Sequence, residues 1–197
     1  MKTKTFSMQY KRKRMHRTDY KKRIKLISGS TQRVVIRKSL KGLIIQLAGY
    51  NNTGDKIIID ARCSELKKYG WELPSGNICA SYLTGVLFGT KAKNVESDAL
   101  IADIGFFPSV KGSRIYAAIK GIIDSGVKVK CDKEILPSED RVYGKHISDY
   151  AEKLKKDSPE KYDKQFSLYL KKNIDLGSIP EYVKKVKENI IRGNKNG

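Results

Sequence analysis

The apolar positions of this 197-residue chain change their period along its length. Between Gln32 and Cys63 they come in short β-branched runs, "QRVVIR", "GLIIQLAGY" and "KIIIDARC". Ser39–Lys41 and the dense turn cluster "NNTGD" at 51–55 separate them. Runs of this length bounded by turn residues predict strands, and their close spacing predicts an antiparallel meander. After "PSGN" the spacing stretches to i, i+4: Ile78, Tyr82 and Val86 form one series, and Cys79, Leu83 and Leu87 another. The pattern predicts a helix with a wide apolar face, with Asn77 or Ser75 as its N-cap. Gly85 and Gly89, four apart, predict that this helix packs closely on a neighbour, with the sheet as the expected one.

"ALIADIG" at 99–105 predicts a buried strand. "GSRIYAAIKGIIDSG" predicts a helix with Ser113 as N-cap, Ile115, Ile119, Ile122 and Ile123 inward, and Gly126 ending it. A right-handed crossover lays strand 99–104 parallel to a meander strand. The result is an α/β layer architecture, and this order of three strands, helix and strand resembles a ribonuclease H-like layout. Past Cys131 the signals are helical only: near 139–155, from Ser158 with Pro159 at the first helical position, and near Pro180 with Tyr182, Val183, Val186 and Ile190. The chain therefore divides into an arm at 1–30, an α/β core at 31–130 and a helical C-terminal extension at 131–197.

Charge changes this picture at one end. The net charge is +20, and residues 1–41 hold 15 Lys and Arg against a single acid, Asp19. The remaining 156 residues are near balance, as on an ordinary solvated surface. The densest stretch is "YKRKRMHRTDYKKR", Tyr10 to Arg23, and it is bracketed near its ends by Tyr10 and Tyr20. Such a run calls for a polyanion or an anionic membrane surface. A membrane-surface arm needs Trp, Phe or Leu on an opposite face, which this run lacks. Arginine mixed with lysine suits bidentate phosphate contact, and the tyrosines suit stacking on unpaired bases. Further base at Arg33, Arg37, Lys38 and Lys41 extends the same surface. Nucleic acid is the expected partner. The arm is expected to be disordered alone and ordered by phosphate contacts, with Asp19→Ala leaving affinity unchanged.

No apolar run approaches the length of a membrane span, and the charged N-terminus leaves no room for a secretory h-region. Cys63, Cys79 and Cys131 make no C-x-x-C pair and read as reduced small hydrophobes of an intracellular protein. There is no phosphate loop of P-loop or dinucleotide type and no G-x-S-x-G, so no catalytic residue, metal ligand or cofactor is indicated. The enzymatic alternative is a metal-dependent nuclease on the ribonuclease H-like topology, which needs converging carboxylates. The first strand, Val34–Arg37, supplies none, and Asp60 and Asp103 are isolated. Asp103 precedes Gly105 and reads as a carboxylate bonded to the next loop.

Several motifs, taken together, are specific. "RTDY" followed by basic residues and "RVVIRKS", "YGWELPSGNICASYLTGVLFG", "DIG", "KGSRIYAAIKGIIDSG" and "RVYGKHI" occur in order over residues 8–150. This set resembles the large-subunit ribosomal protein family numbered eighteen in bacteria and archaea. The length and helical tail are similar to its archaeal form. The resemblance implies a ribonuclease H-like α/β sandwich with a basic arm and no enzymatic activity. It implies binding to 5S ribosomal RNA, contact with the large ribosomal RNA, and neighbours among the proteins of the central protuberance, in the cytoplasmic large subunit. Its implied RNA-facing residues are Tyr10, Lys11, Arg12, Lys13, Arg14, Arg17, Thr18, Tyr20, Lys22 and Arg23 in the arm. Arg33, Arg37, Lys38 and Ser39 at the first strand, Trp71 and Asn77 before the first core helix, and Lys111, Gly112 and Ser113 before the second complete the set, with core packing as the alternative for Trp71. Leu40 departs from the family, where Asn is frequent after the serine of the "RKS" stretch, and the tail past 158 matches only at "IPEYVKK".

Overall fold

The computed structural model describes residues 7–29, 32–51, 53–93, 95 and 99–193; the first six residues of the arm and Asn52 of the predicted turn lie outside them. Two basic helices come first, α1 (Lys11–Arg14) and α2 (Tyr20–Ser28). The meander follows as β1 (Arg33–Lys38), β2 (Leu43–Asn51) and β3 (Gly54–Arg62). A 3₁₀ segment, Cys63–Tyr69, leads to α3 (Ile78–Ala92), then β4 (Ile101–Asp103) and α4 (Arg114–Asp124). The C-terminal part carries a 3₁₀ turn at Lys133–Ile135 and five helices: α5 (Glu139–Tyr143), α6 (Lys145–Asp157), α7 (Pro159–Gln165), α8 (Ser167–Leu170) and α9 (Ile179–Gly193).

The sheet has the order β3-β2-β1-β4. The meander is antiparallel, and β4 runs parallel to β1 with Val35 opposite Asp103. Leu100, just before β4, also bridges in parallel to Val129. Strand period then assigns the faces. Val34 and Ile36 of β1, with Leu43, Ile45 and Leu47 of β2, point into the core beneath α3 and α4 and are almost wholly buried. Arg33, Val35 and Arg37 alternate onto the opposite face.

The α3 N-terminus is fixed by Asn77, whose Oδ1 accepts from the Ala80 N–H at 2.7 Å. Ser113 stands at the N-cap position of α4, but its hydroxyl makes no capping bond. The close packing expected of Gly85 and Gly89 is present, with a different neighbour. A Cβ on Gly85 would lie 2.1 Å from the Ala118 carbonyl oxygen, and one on Gly89 would lie 2.5 Å from the Ser125 Cβ. Gly121 answers from the other side, 2.2 Å from the Tyr82 carbonyl oxygen. The glycines thus seat α3 on α4, not on the sheet.

Helix α3 is buried almost all round because α9 covers another of its sides. Val183, Val186 and Ile190 of α9 and Val142 of α5 belong to the same apolar cluster as α3. A polar network joins the layers: Tyr82 Oη donates to Asp124 Oδ2 at 2.8 Å and accepts from Lys187 Nζ at 2.8 Å. Burial, with Asp124 beside it, pushes the phenol well above its ordinary value, so the hydroxyl stays a donor. Tyr82→Phe leaves a carboxylate and an ammonium without their shared partner. It is expected to cost about 1–3 kcal/mol, read as a lowered midpoint in thermal unfolding.

Candidate nucleic-acid interface

Asp19 starts the local structure of the basic region. Its carboxylate caps α2 by accepting from the Lys22 N–H at 3.1 Å. The charge count alone gives this acid no role, and the expectation that the whole stretch is unstructured is corrected here. Residues 11–14 form one helical turn and 20–28 a capped helix, because a cap and contacts to the sheet offset the self-repulsion. Asp19→Ala is accordingly expected to loosen α2 by about 1 kcal/mol rather than to be silent.

Helix α2 lies on the outer face of the sheet, held by charge. Arg23 Nη1 meets Asp55 Oδ2 at 2.8 Å, and Lys22 Nζ donates to the Gly105 carbonyl at 3.4 Å. Beneath it, Arg33 Nη2 meets the same Asp55 oxygen at 2.5 Å, and its Nε stands 3.9 Å from Asp103 Oδ2. Arg37 donates to Asp103 through Oδ1 at 3.3 Å and through the carbonyl at 2.7 Å. Asp103 Oδ1 also accepts from the Gly105 N–H at 2.9 Å, the loop bond expected of it. The two carboxylates that a nuclease would have to commit to metal are engaged elsewhere: Asp103 in these bonds, Asp60 with Arg62 at 3.2 Å.

Burial alone would raise the Asp55 carboxyl, but hydrogen bonds from Arg23 and Arg33 outweigh it and hold it below its ordinary value of 3.8. A depressed folded pKa contributes stability that is complete above 3.8 and is lost as pH falls through the lower folded value. Docking of α2 is therefore expected to persist through neutral pH and to weaken in acid. Asp55→Asn is expected to speed hydrogen exchange of the α2 amides at pH 7 while leaving α3 and α4 protected.

The remaining expected RNA-facing residues divide by environment. Lys11, Arg12, Lys13, Arg14 and Arg17 are exposed, and Arg12 Nε donates to Thr18 Oγ1 at 2.9 Å. Tyr10, 75% exposed, packs its ring against Tyr20 with centroids 5.5 Å apart. Lys38 lies 5.0 Å over the Phe107 ring. Ser39 closes the β1–β2 turn, its hydroxyl accepting from the Gly42 N–H at 3.1 Å, with Leu40 exposed at the tip. Lys111 and Gly112 stand at the surface beside the α4 N-terminus, where Gly112 takes φ +66°.

Three residues lie away from the expected RNA-facing surface. Arg33 is 3% exposed and bonded to Asp55, so it orders the site from below instead of lying on the exposed surface. Trp71 is 1% exposed, against Tyr182 at 5.6 Å, so it is core and not a stacking platform. Asn77 is likewise spent on its cap. Sequence reasoning missed Arg114, which donates to the Gly76 carbonyl at 2.8 Å and the Ser39 carbonyl at 3.2 Å. It thereby gathers the β1–β2 turn, the loop before α3 and the α4 N-terminus. Asp55 was missed too, since a lone acid in a turn carries no sign of distant arginines.

The structure thus brings Arg12, Arg17, Thr18, Lys22, Arg23 and Arg37 around one place on the outer sheet face. Arranged this way, the site binds anions by charge and bidentate hydrogen bonds and has no group placed for covalent chemistry. Among the described residues no helix is long and apolar enough to cross a membrane, and no cluster of three His, Cys, Asp or Glu could hold a metal. Residues 4–101 match the family model described as ribosomal large subunit proteins 60S L5 and 50S L18. The large ribosomal subunit protein uL18 of Korarchaeum cryptofilum (strain OPF8) is 42% identical over 185 residues, 94% of each chain.

Proposed function

This chain belongs to the large-subunit ribosomal protein family of 60S L5 and 50S L18, and from that premise we propose that it binds 5S ribosomal RNA and helps attach it to the large ribosomal RNA in the central protuberance. The family is structural, not enzymatic, and its place is the large ribosomal subunit. The observation that carries the RNA contact is the exposed row Lys11, Arg12, Lys13, Arg14 and Arg17, which has no carboxylate partner among the described residues. A cationic row of this kind neutralises backbone phosphates. Tyr10 and Tyr20, already paired ring to ring, offer a stacking surface beside it. Lys38, Ser39, Lys111 and Gly112 extend the same contact along the adjoining loops.

The fold supports a ribonuclease H-like layout: a β3-β2-β1-β4 order, β4 parallel to β1, and Val129 bridged beyond it. In this reading the arm (1–30) carries most RNA contact, the core (31–130) presents it, and the extension (131–197) covers α3 and meets neighbouring proteins of the central protuberance.

The test is binding of purified chain to 5S ribosomal RNA, with transfer RNA as a control of similar size and charge. Binding to 5S RNA at least about 10³-fold tighter than to transfer RNA is the expected result. Equal affinity for both would reduce the protein to a non-specific polyanion binder and overturn the assignment.

A further inference from the structure

Between α1–α2 and the outer face of the sheet lies a cavity of about 270 Å³. At about 30 Å³ per water, it has room for several waters or one phosphate group. Six cations line it, Arg12, Arg17, Lys22, Arg23, Arg33 and Arg37, against three carboxylates, Asp19, Asp55 and Asp103. All three acids are already engaged: Asp19 caps α2, Asp55 holds Arg23 and Arg33, and Asp103 holds Arg37 and the Gly105 N–H. Among the described residues, three cations remain without a carboxylate: Arg12 bonds only Thr18 through its side chain, Lys22 reaches only a carbonyl at 3.4 Å, and Arg17 has no side-chain partner. Below them Arg33, whose side chain is 4% exposed, has a buried Nε with no hydrogen-bond partner.

We infer that this cavity is a socket for a single phosphate group, closed above by the arm and below by the sheet. The reasoning is one of charge balance and rigidity. Like charges converge on a partly enclosed space, where the surrounding protein focuses their field. Asp55 and Asp103 hold Arg33 and Arg37 of the floor and Arg23 of α2 in place, so these walls are ordered before any ligand arrives. An anion entering then meets Arg12, Arg17 and Lys22, whose donors are not committed to carboxylates. The socket differs from the outward side of α1, Lys11, Lys13 and Arg14, which lies outside the cavity and encloses no phosphate. Its occupant is either a backbone phosphate of RNA, which rests on the proposed RNA binding, or free phosphate, which does not.

The experiment uses the full chain without RNA, titrated with inorganic phosphate against chloride at matched ionic strength. At ten times its Kd, phosphate is expected to raise Tm by about 3–6 °C over chloride. The Arg33 Nε resonance should move with the same midpoint. Arg17→Gln with Lys22→Gln should abolish both responses. Lys13→Gln with Lys21→Gln, equal in charge and outside the cavity, should keep them. No phosphate-specific response, or the same response in both double variants, overturns the socket and leaves the RNA reading untouched. Source is decided separately with 5S RNA: a loss about tenfold larger for the cavity pair than for the control pair identifies a backbone phosphate as the occupant, while equal losses identify free phosphate.

Discussion

Replacing Lys11, Lys13, Arg14 and Arg17 together with glutamine is expected to lower 5S RNA affinity about 10²-fold or more near physiological salt. Each phosphate neutralised contributes roughly 0.7 to 0.9 to the slope of log affinity against log salt, so four lost contacts flatten it by about 3. These residues are chosen because the structure leaves them exposed, without carboxylate partners among the described residues and outside the core, so folding is not at stake. Removing residues 1–24 should flatten the slope further, but it also takes Arg23 from Asp55 and undocks the face beneath. Tyr20→Ala should weaken binding with little change of slope, since stacking releases no counterions. Arg33→Gln should behave oppositely to the α1 variant, lowering stability by taking the buried guanidinium from Asp55 more than it lowers the slope. Affinity and slope measured by filter binding across a salt series separate these outcomes. A quadruple variant that keeps full affinity and full slope would move the RNA surface off the arm altogether.

The other large effect concerns folding. Gly85→Ala is expected to destabilise the chain by about 3 kcal/mol or more, the upper end of overpacking costs and a large fraction of a typical domain's stability. Its methyl would stand 2.1 Å from the Ala118 carbonyl oxygen and 2.9 Å from its carbon, both backbone atoms of α4 that cannot swing aside. Gly121→Ala meets the Tyr82 carbonyl oxygen at 2.2 Å and should do the same from the opposite helix. Gly112→Ala is the control: nothing lies within 4 Å of its Cβ position, so only the left-handed φ of +66° resists, at about 1–2 kcal/mol. Urea unfolding of the three variants checks the ranking. If Gly85→Ala unfolds with the midpoint of Gly112→Ala, the α3–α4 contact is looser than the backbone geometry requires.

How far the sequence reached can be argued from particular residues. Short β-branched runs and turn residues located the meander, while its register and the inward placing of Val34 and Ile36 came from the fold. The i, i+4 series and Asn77 located α3, because a cap and an apolar face are local properties of a helix. That β4 runs parallel to a meander strand followed from the handedness of crossovers, whereas its neighbour, β1, was decided by the fold. The basic surface was legible because charge does not depend on folding, and the motifs of residues 8–150 carried the family. What each charge does was decided elsewhere. Arg33 and Arg37 are four apart in one strand and look alike in sequence, yet one is buried on Asp55 and the other half-exposed on Asp103. Gly85 and Gly89 signalled a close approach but not its partner, since α4 arrives from more than 20 residues away. Trp71 was equally compatible with RNA and with core until Tyr182, over 100 residues later, closed on it. Local pattern fixes periods, caps and charge because neighbouring residues set them. The pairing of ions and the burial of single side chains depend on which distant segment arrives, and that is set only when the layers pack.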